Sequence, residues 1–246
     1  SVGRNRENKE KISRKVSLIN SKKTELDLPQ TSADLLYYGG GIRIQKSQGA
    51  GGSPVIRGFE ANRVLLVIDG VRMNNAIYRS GHLQNSITID PSIIERAEII
   101  FGSSSVGYGS DALGGVIHYY TKSPILKGSE KIKSSFTTNY TSANQGVSNN
   151  FVTNYSSENW GSITSLSISK FGDIKMGKKR EHGFNSWGLT PLYSENSRYS
   201  YYSQASTNSD ENIQKNTNYS QVDLFQKFLL KHLQDIMVVL VQQLLI

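Results

Sequence analysis

Residues 53–121 read SPVIRGFEANRVLLVIDGVRMNNAIYRSGHLQNSITIDPSIIERAEIIFGSSSVGYGSDALGGVIHYYT. Short apolar runs alternate here with glycine-rich turns and one histidine-bearing loop. Arg63 to Ile68 carries a continuous apolar run, suited to a strand buried on both faces. Asp69-Gly70 ends it as a turn signal. Asp90 is placed to cap a short helix over 91–96, with Pro91 at the first helical position, where its missing N–H costs nothing. Ala97–Phe101 and Val116–Thr121 read as further strands, separated by a Ser/Gly loop over 103–110. That loop lacks the Gly-Lys-Ser/Thr ending of a phosphate-binding loop, so tight turns account for its glycines.

Upstream, Thr31-Ser32-Ala33-Asp34 before Leu35 and Leu36 marks a capped helix start, and Gly39-Gly40-Gly41 stops it. Ile42–Lys46 alternates as a strand, and Val55-Ile56-Arg57 is a short one. Residues 1–24 form a basic lead-in that holds most of the formal charge of +8. No aromatic side chain interleaves these cations, so a solvated segment is expected rather than a nucleic-acid site. The expected unit over 25–124 is a small α+β globule with a mixed sheet.

After Pro124 the texture changes. Ile132, Ser134, Phe136, Thr138 and Tyr140 fall on one face, and Lys131, Lys133, Ser135, Thr137 and Asn139 on the other. Phe151–Tyr155, Gly161–Phe171 and Asn218–Phe228 repeat this alternation, with Thr164, Leu166 and Ile168 sharing a face. Segments of about ten residues, apolar on one face and polar on the other, suit the wall of a transmembrane barrel. A soluble sandwich of polar strands is the alternative. The connections are short over 142–147 and 156–160, and long and polar over 172–216. A long extracellular loop is therefore expected at 172–216. From residue 229 to 246 the alternation gives way to a dense aliphatic tail, readable as an amphipathic helix or as an out-of-frame translation.

Four pieces of the opening stretch, in this order and spacing, resemble the plug domain of TonB-dependent outer-membrane receptors. They are Arg57-Gly58-Phe59, the run ending Ile68-Asp69-Gly70, Ile94-Glu95-Arg96-Ala97-Glu98-Ile99, and Gly107-Tyr108-Gly109 followed by Ala112-Leu113-Gly114-Gly115-Val116-Ile117. The resemblance implies an α+β plug followed by the first antiparallel strands of a β-barrel. Gly58, Asp69, Gly70, Glu95, Gly109, Gly114 and Gly115 would be structural plug positions. A plugged transporter barrel has about 22 strands. Residues 125–228 supply only the first few, so the chain is expected to be a fragment of a longer receptor. It also begins without methionine, and no TonB-contacting box is legible in residues 1–30.

By the same resemblance, Arg57 and Arg96 would pair with glutamates on the inner barrel wall and lock the plug. A planar guanidinium forms bidentate bonds to carboxylates, which makes this reasonable. The alternative is an arginine bonded within the plug. Gly81-His82-Leu83 resembles a stretch of haem and haemoglobin receptors in which the histidine faces the extracellular cavity and binds haem iron. Gln84 before Asn85 departs from that pattern, and a plain polar loop residue is the alternative. The implied function is TonB-energised uptake of haem or a haemoprotein across the outer membrane of a Gram-negative bacterium. A ferric siderophore is the alternative cargo. TonB, outer-membrane lipid and the ligand are the implied partners, with no intrinsic cofactor, nucleic acid or catalysis. A soluble α+β enzyme or nucleotide-binding module is the reading from a different class. The chain has no cysteine, which excludes disulfides and thiolate metal sites. It shows no nucleophile elbow or zinc motif.

Overall fold

The computed structural model describes residues 15–21, 26–46, 49, 51–60, 63–73, 89–102, 105–109, 112–126, 131–181, 183–194 and 205–231. Strands β1 (Val16–Asn20), β2 (Ile42–Gln45), β3 (Ser53–Ile56), β4 (Val64–Ile68), β5 (Val71–Arg72), β6 (Ile94–Phe101) and β7 (Gly115–Thr121) belong to an N-terminal globule. Its main sheet is five-stranded in the order β1-β6-β7-β4-β5, and β2 and β3 form a separate hairpin. β4 runs parallel to β7 while β6 pairs antiparallel with β7, so the sheet is mixed.

Burial follows the period of two. Val64, Leu66, Ile117, Tyr119, Ala97 and Ile99 pack on one face with Leu35 and Leu36 of the helix Ser32–Leu36. Leu65, Val67, Val116 and Ile100 pack on the other with Ala112. The central strands are thus covered on both sides, as the unbroken apolar run Val64–Ile68 requires. The helix starts with a capping box: Thr31 accepts from the Asp34 N–H and the Asp34 carboxylate accepts from the Thr31 N–H.

The structure corrects three expectations. Val16–Asn20 is not part of a solvated lead-in: it pairs residue for residue with Arg96–Ile100, and Ile19 is buried. Its apolar alternation is short and sits among lysines, so charge outweighed periodicity. The helix capped by Asp90 is a single 3-10 turn, Pro91–Ile93, and Ile94–Arg96 already belong to β6. Ile94, which is β-branched, and Arg96 find cross-strand partners there in Thr121 and Tyr120 that a helix would forgo. Residues 103–110 are not loop throughout, because Ser105–Tyr108 forms one helical turn.

The second body is a four-stranded antiparallel sheet of β8 (Ile132–Thr141), β9 (Gly146–Ser156), β10 (Trp160–Phe171) and a later strand, Tyr219–Leu230. Between them lie two short ribbons, in which β11 (Ile174–Lys175) pairs with β14 (Ile213–Gln214) and β12 (Leu192–Ser194) with β13 (Ala205–Thr207). The later strand is β15, and the sheet order is β15-β10-β9-β8. Among the described residues β8 and β15 are its open edges and no barrel closes. Among its described residues the long connection thus contains paired strands.

On the face away from the globule, Phe136, Phe151, Leu166 and Leu224 stand in register across all four strands, each at least 39% exposed. The neighbouring row pairs its polar groups internally, Ser134 with Thr153 at 2.9 Å and Thr164 with Gln226 at 2.5 Å. Tyr155 stacks on Trp160 at one end of the sheet. Among the described residues no helix is long and apolar enough to cross a membrane.

Candidate functional site

The face of the second sheet toward the globule carries its chemistry. Alternation along β15 turns Asp223, Phe225 and Lys227 inward, and the register sets Ser167 of β10 beside Asp223 and Ile163 beside Lys227. β9 adds Asn150 and Val152 opposite Ser167 and Ser165. Three contacts result, stacked along the strands.

The first is ionic. Lys227, 2% exposed, donates to Asp69 Oδ2 at 3.2 Å, Thr121 Oγ1 at 3.0 Å and Ser123 Oγ at 3.4 Å. Asp69 occupies a turn in which it and Gly70 both have positive φ, +45° and +89°. Two such residues joining Ile68 to Val71 are the mark of a type I′ hairpin. Aspartate tolerates this conformation better than most side chains. The turn is braced from β7: the Thr121 N–H donates to Asp69 Oδ1 at 3.0 Å, and the Thr121 hydroxyl donates to Oδ2.

The second contact is apolar, with Ile93 of the globule packed among Ile163, Phe225 and Val152. The third is neutral and polar. Asn150 Nδ2 donates to Ser92 Oγ at 2.9 Å, Ser165 Oγ at 3.0 Å and Ser167 Oγ at 2.6 Å. Ser167 Oγ in turn donates to Asp90 Oδ2, while Asp90 Oδ1 caps the Ser92 N–H at 2.9 Å. Beyond it the two bodies enclose a cavity of about 290 Å³, lined by Thr31, Asp90, Thr137, Ser148, Ser169 and Asp223 among others. Its walls bear hydroxyls, amides and carboxylates. Among the described residues no group of His, Asp and Glu is arranged to hold a metal ion.

The predicted residues fall in several places. His82 lies outside the described residues. Arg57 is exposed at the first position of a second I′ turn, with φ +50° before Gly58 at +83°, and its guanidinium stands 5.8 Å from the Phe101 ring centre. Mutual bonds between Ile56 and Phe59, both 2.9 Å, close that turn. Arg96 meets an acid inside the globule: its Nε is 3.0 Å from Glu98 Oε1, and its guanidinium lies 3.6 Å above the Tyr120 ring. Glu95 is exposed. Gly109 has φ +99°, a side chain at Gly114 would run into Phe59, and one at Gly115 would strike the Ile100 carbonyl.

Tyr120 stacks on His118 at 4.0 Å. His118 Nε2 accepts from the Gly70 N–H at 3.1 Å. Burial pushes the His118 pKa down to about 4, against the pull of Glu98 and Asp69 in the other direction. His118 therefore stays neutral, as its role as acceptor needs. Sequence reasoning missed Lys227, Asn150 and Ser167 as contact residues. The available signal was a lysine at an inward position of an alternating strand, but its partner lies 158 residues away in sequence.

Comparison with known proteins agrees with this architecture. Residues 8–116 match the family model of the TonB-dependent receptor plug domain. The "Hemin receptor" of Yersinia pestis is 27% identical over 229 residues, covering 82% of this chain and 33% of that protein. The "Vitamin B12 transporter BtuB" of Vibrio vulnificus is 36% identical over 143 residues, covering 53% of this chain and 23% of that one. Among solved structures, a double mutant of the Serratia marcescens hemophore receptor HasR, in complex with its hemophore HasA and heme, matches with a TM-score of 0.67. It is 20% identical and covers 88% of this chain and 29% of that receptor, a likeness of fold. The chain thus spans a third or less of the length of these relatives. With its mixed sheet, its I′ turns and the antiparallel wall against it, the chain thus carries at residues 8–116 a domain that matches the plug of TonB-dependent receptors, followed by antiparallel strands that share the fold of such receptors.

Proposed function

We propose that the protein is an outer-membrane receptor that takes up haem, or haem delivered by a protein, with energy supplied through TonB. The observation that carries this reading is a plug domain bound by side-chain contacts to a wall whose other face exposes a registered apolar row. That row suits lipid, and polar residues facing a plug suit a barrel lumen. The likeness to a hemin receptor over most of the chain favours haem as cargo. No bond-making step is assigned to any residue.

In this reading His82 offers its imidazole to haem iron from the plug. Arg57, exposed on its turn, pairs with an acid on wall strands beyond the four described. Arg96 is committed to Glu98 and Tyr120 and steadies the plug internally. A ferric siderophore or a corrinoid is the second cargo class, favoured by the 36% identity to a vitamin B12 transporter.

The test uses the full-length gene product. It should fractionate with the outer membrane and support TonB-dependent growth on haem, and His82→Ala should weaken haem binding. Recovery in the soluble fraction would overturn the receptor reading. Haem binding unchanged by His82→Ala would remove that residue, and growth on siderophore but not haem would move the cargo to the second class.

A further inference from the structure

We propose that Lys227 is the wall residue that holds the plug in register, through Asp69, and that this pair must separate before the plug can move. The ammonium has three N–H donors and three oxygen acceptors within reach: Asp69 Oδ2, Thr121 Oγ1 and Ser123 Oγ. All three acceptors belong to the globule and the donor to the wall. The carboxylate is organised before the lysine arrives, because Thr121 holds both of its oxygens. The Asp69 N–H is itself anchored, donating to the Tyr119 carbonyl at 3.0 Å. The site is therefore a rigid acidic socket on the plug into which one wall cation fits.

Burial gives the pair its specificity. Lys227 is 2% exposed, and an unpaired charge there is far costlier than a paired one. A plug shifted by one residue along the wall would leave both charges without partners, so the contact selects a single register. An apolar contact such as that of Ile93 tolerates sliding, and the hydroxyl contacts around Ser167 can exchange partners with water. The ion pair differs from both in cost: while the contact stays dry its separated charges have no other partner, and only water entering between plug and wall lets it break and re-form.

The polarity is the reverse of the one expected from Arg57 and Arg96, with the acid on the plug and the cation on the wall. The contact itself is independent of the cargo; only its meaning for uptake rests on the receptor reading.

The experiment is a double-mutant cycle on the full-length receptor in outer-membrane vesicles, without ligand or TonB. Asp69→Asn and Lys227→Met are made singly and together, and amide hydrogen exchange is followed by segment. Asparagine keeps the left-handed turn and an acceptor for the Thr121 N–H, so folding is preserved. Each single change should raise exchange in residues 64–73 and 115–123 by roughly tenfold, and the double should add little more. The separate β2–β3 hairpin, which does not touch the pair, should be unaffected. Additive effects, no effect, or equal loosening in all segments would overturn the proposal. Because no haem is present, failure here is distinct from failure of the uptake reading.

Discussion

Gly115→Ala tests how closely the central strands approach, at a residue whose φ of +155° adds a backbone cost of the kind that the Gly70 control measures by itself. Gly115 opens β7 between two partners, paired with Phe101 of β6 and Val64 of β4. A Cβ at this position would lie 2.5 Å from the Ile100 carbonyl oxygen and 3.1 Å from Ile56 Cδ1. The Ile56 methyl ends a side chain and can turn aside, but the carbonyl is backbone of the paired strand. Restoring ordinary contact requires β6 and β7 to part locally by about 1 Å. Overpacking of this kind costs about 1–3 kcal/mol, and each stretched ladder bond forfeits up to about 1 kcal/mol. The expected loss is therefore about 3 kcal/mol, felt where β7 meets β6. Gly70→Ala is the control: nothing lies within 4 Å of its added carbon, and only the φ of +89° resists, at about 1 kcal/mol. Native-state hydrogen exchange of the full-length receptor reads both. Gly115→Ala should speed exchange of β6 and β7 amides about a hundredfold and Gly70→Ala about fivefold. If the first variant exchanges no faster than the second, steric approach is not what demands glycine at 115.

Other outcomes follow from the same contacts. The unfolded chain binds a proton at His118 near the ordinary value of 6.5, whereas the folded chain resists until about 4. Stability should fall as pH drops through that window, by about 3 kcal/mol at most, and His118→Gln should flatten that part of the unfolding profile; an unchanged slope would assign the loss to carboxylates. Ser167→Ala removes one hydroxyl from the Asp90–Asn150 contact and should cost about 1 kcal/mol. Asp90→Ala should cost about 2 kcal/mol because it also strips the cap from Ser92, a ranking measurable from the exchange of residues 89–94. Leu166→Lys puts a charge in the outward apolar row, where lipid would oppose it by about 2–4 kcal/mol. Less folded receptor should then reach the outer-membrane fraction, and wild-type levels would argue that this row does not face lipid.

Local chemistry made much of the fold legible in the sequence. The continuous run Val64–Ile68 implied a strand covered on both faces, Asp69-Gly70 implied a turn, and Thr31 to Asp34 implied a capped helix; each is determined by neighbours a few residues away. The same holds for the inward and outward rows of β8, whose alternation is a property of the strand itself. Tertiary structure alone decided which of these surfaces meet. Val16–Asn20 became a strand because β6 offered it an edge. Arg96 found Glu98 and Tyr120 because the register of β6 and β7 placed them side by side. Lys227 reached Asp69 across 158 residues because two sheets, each specified by its own periodicity, closed on one another. Periodicity tells a side chain which face it occupies, but the partner across that face is set by packing between elements distant in sequence.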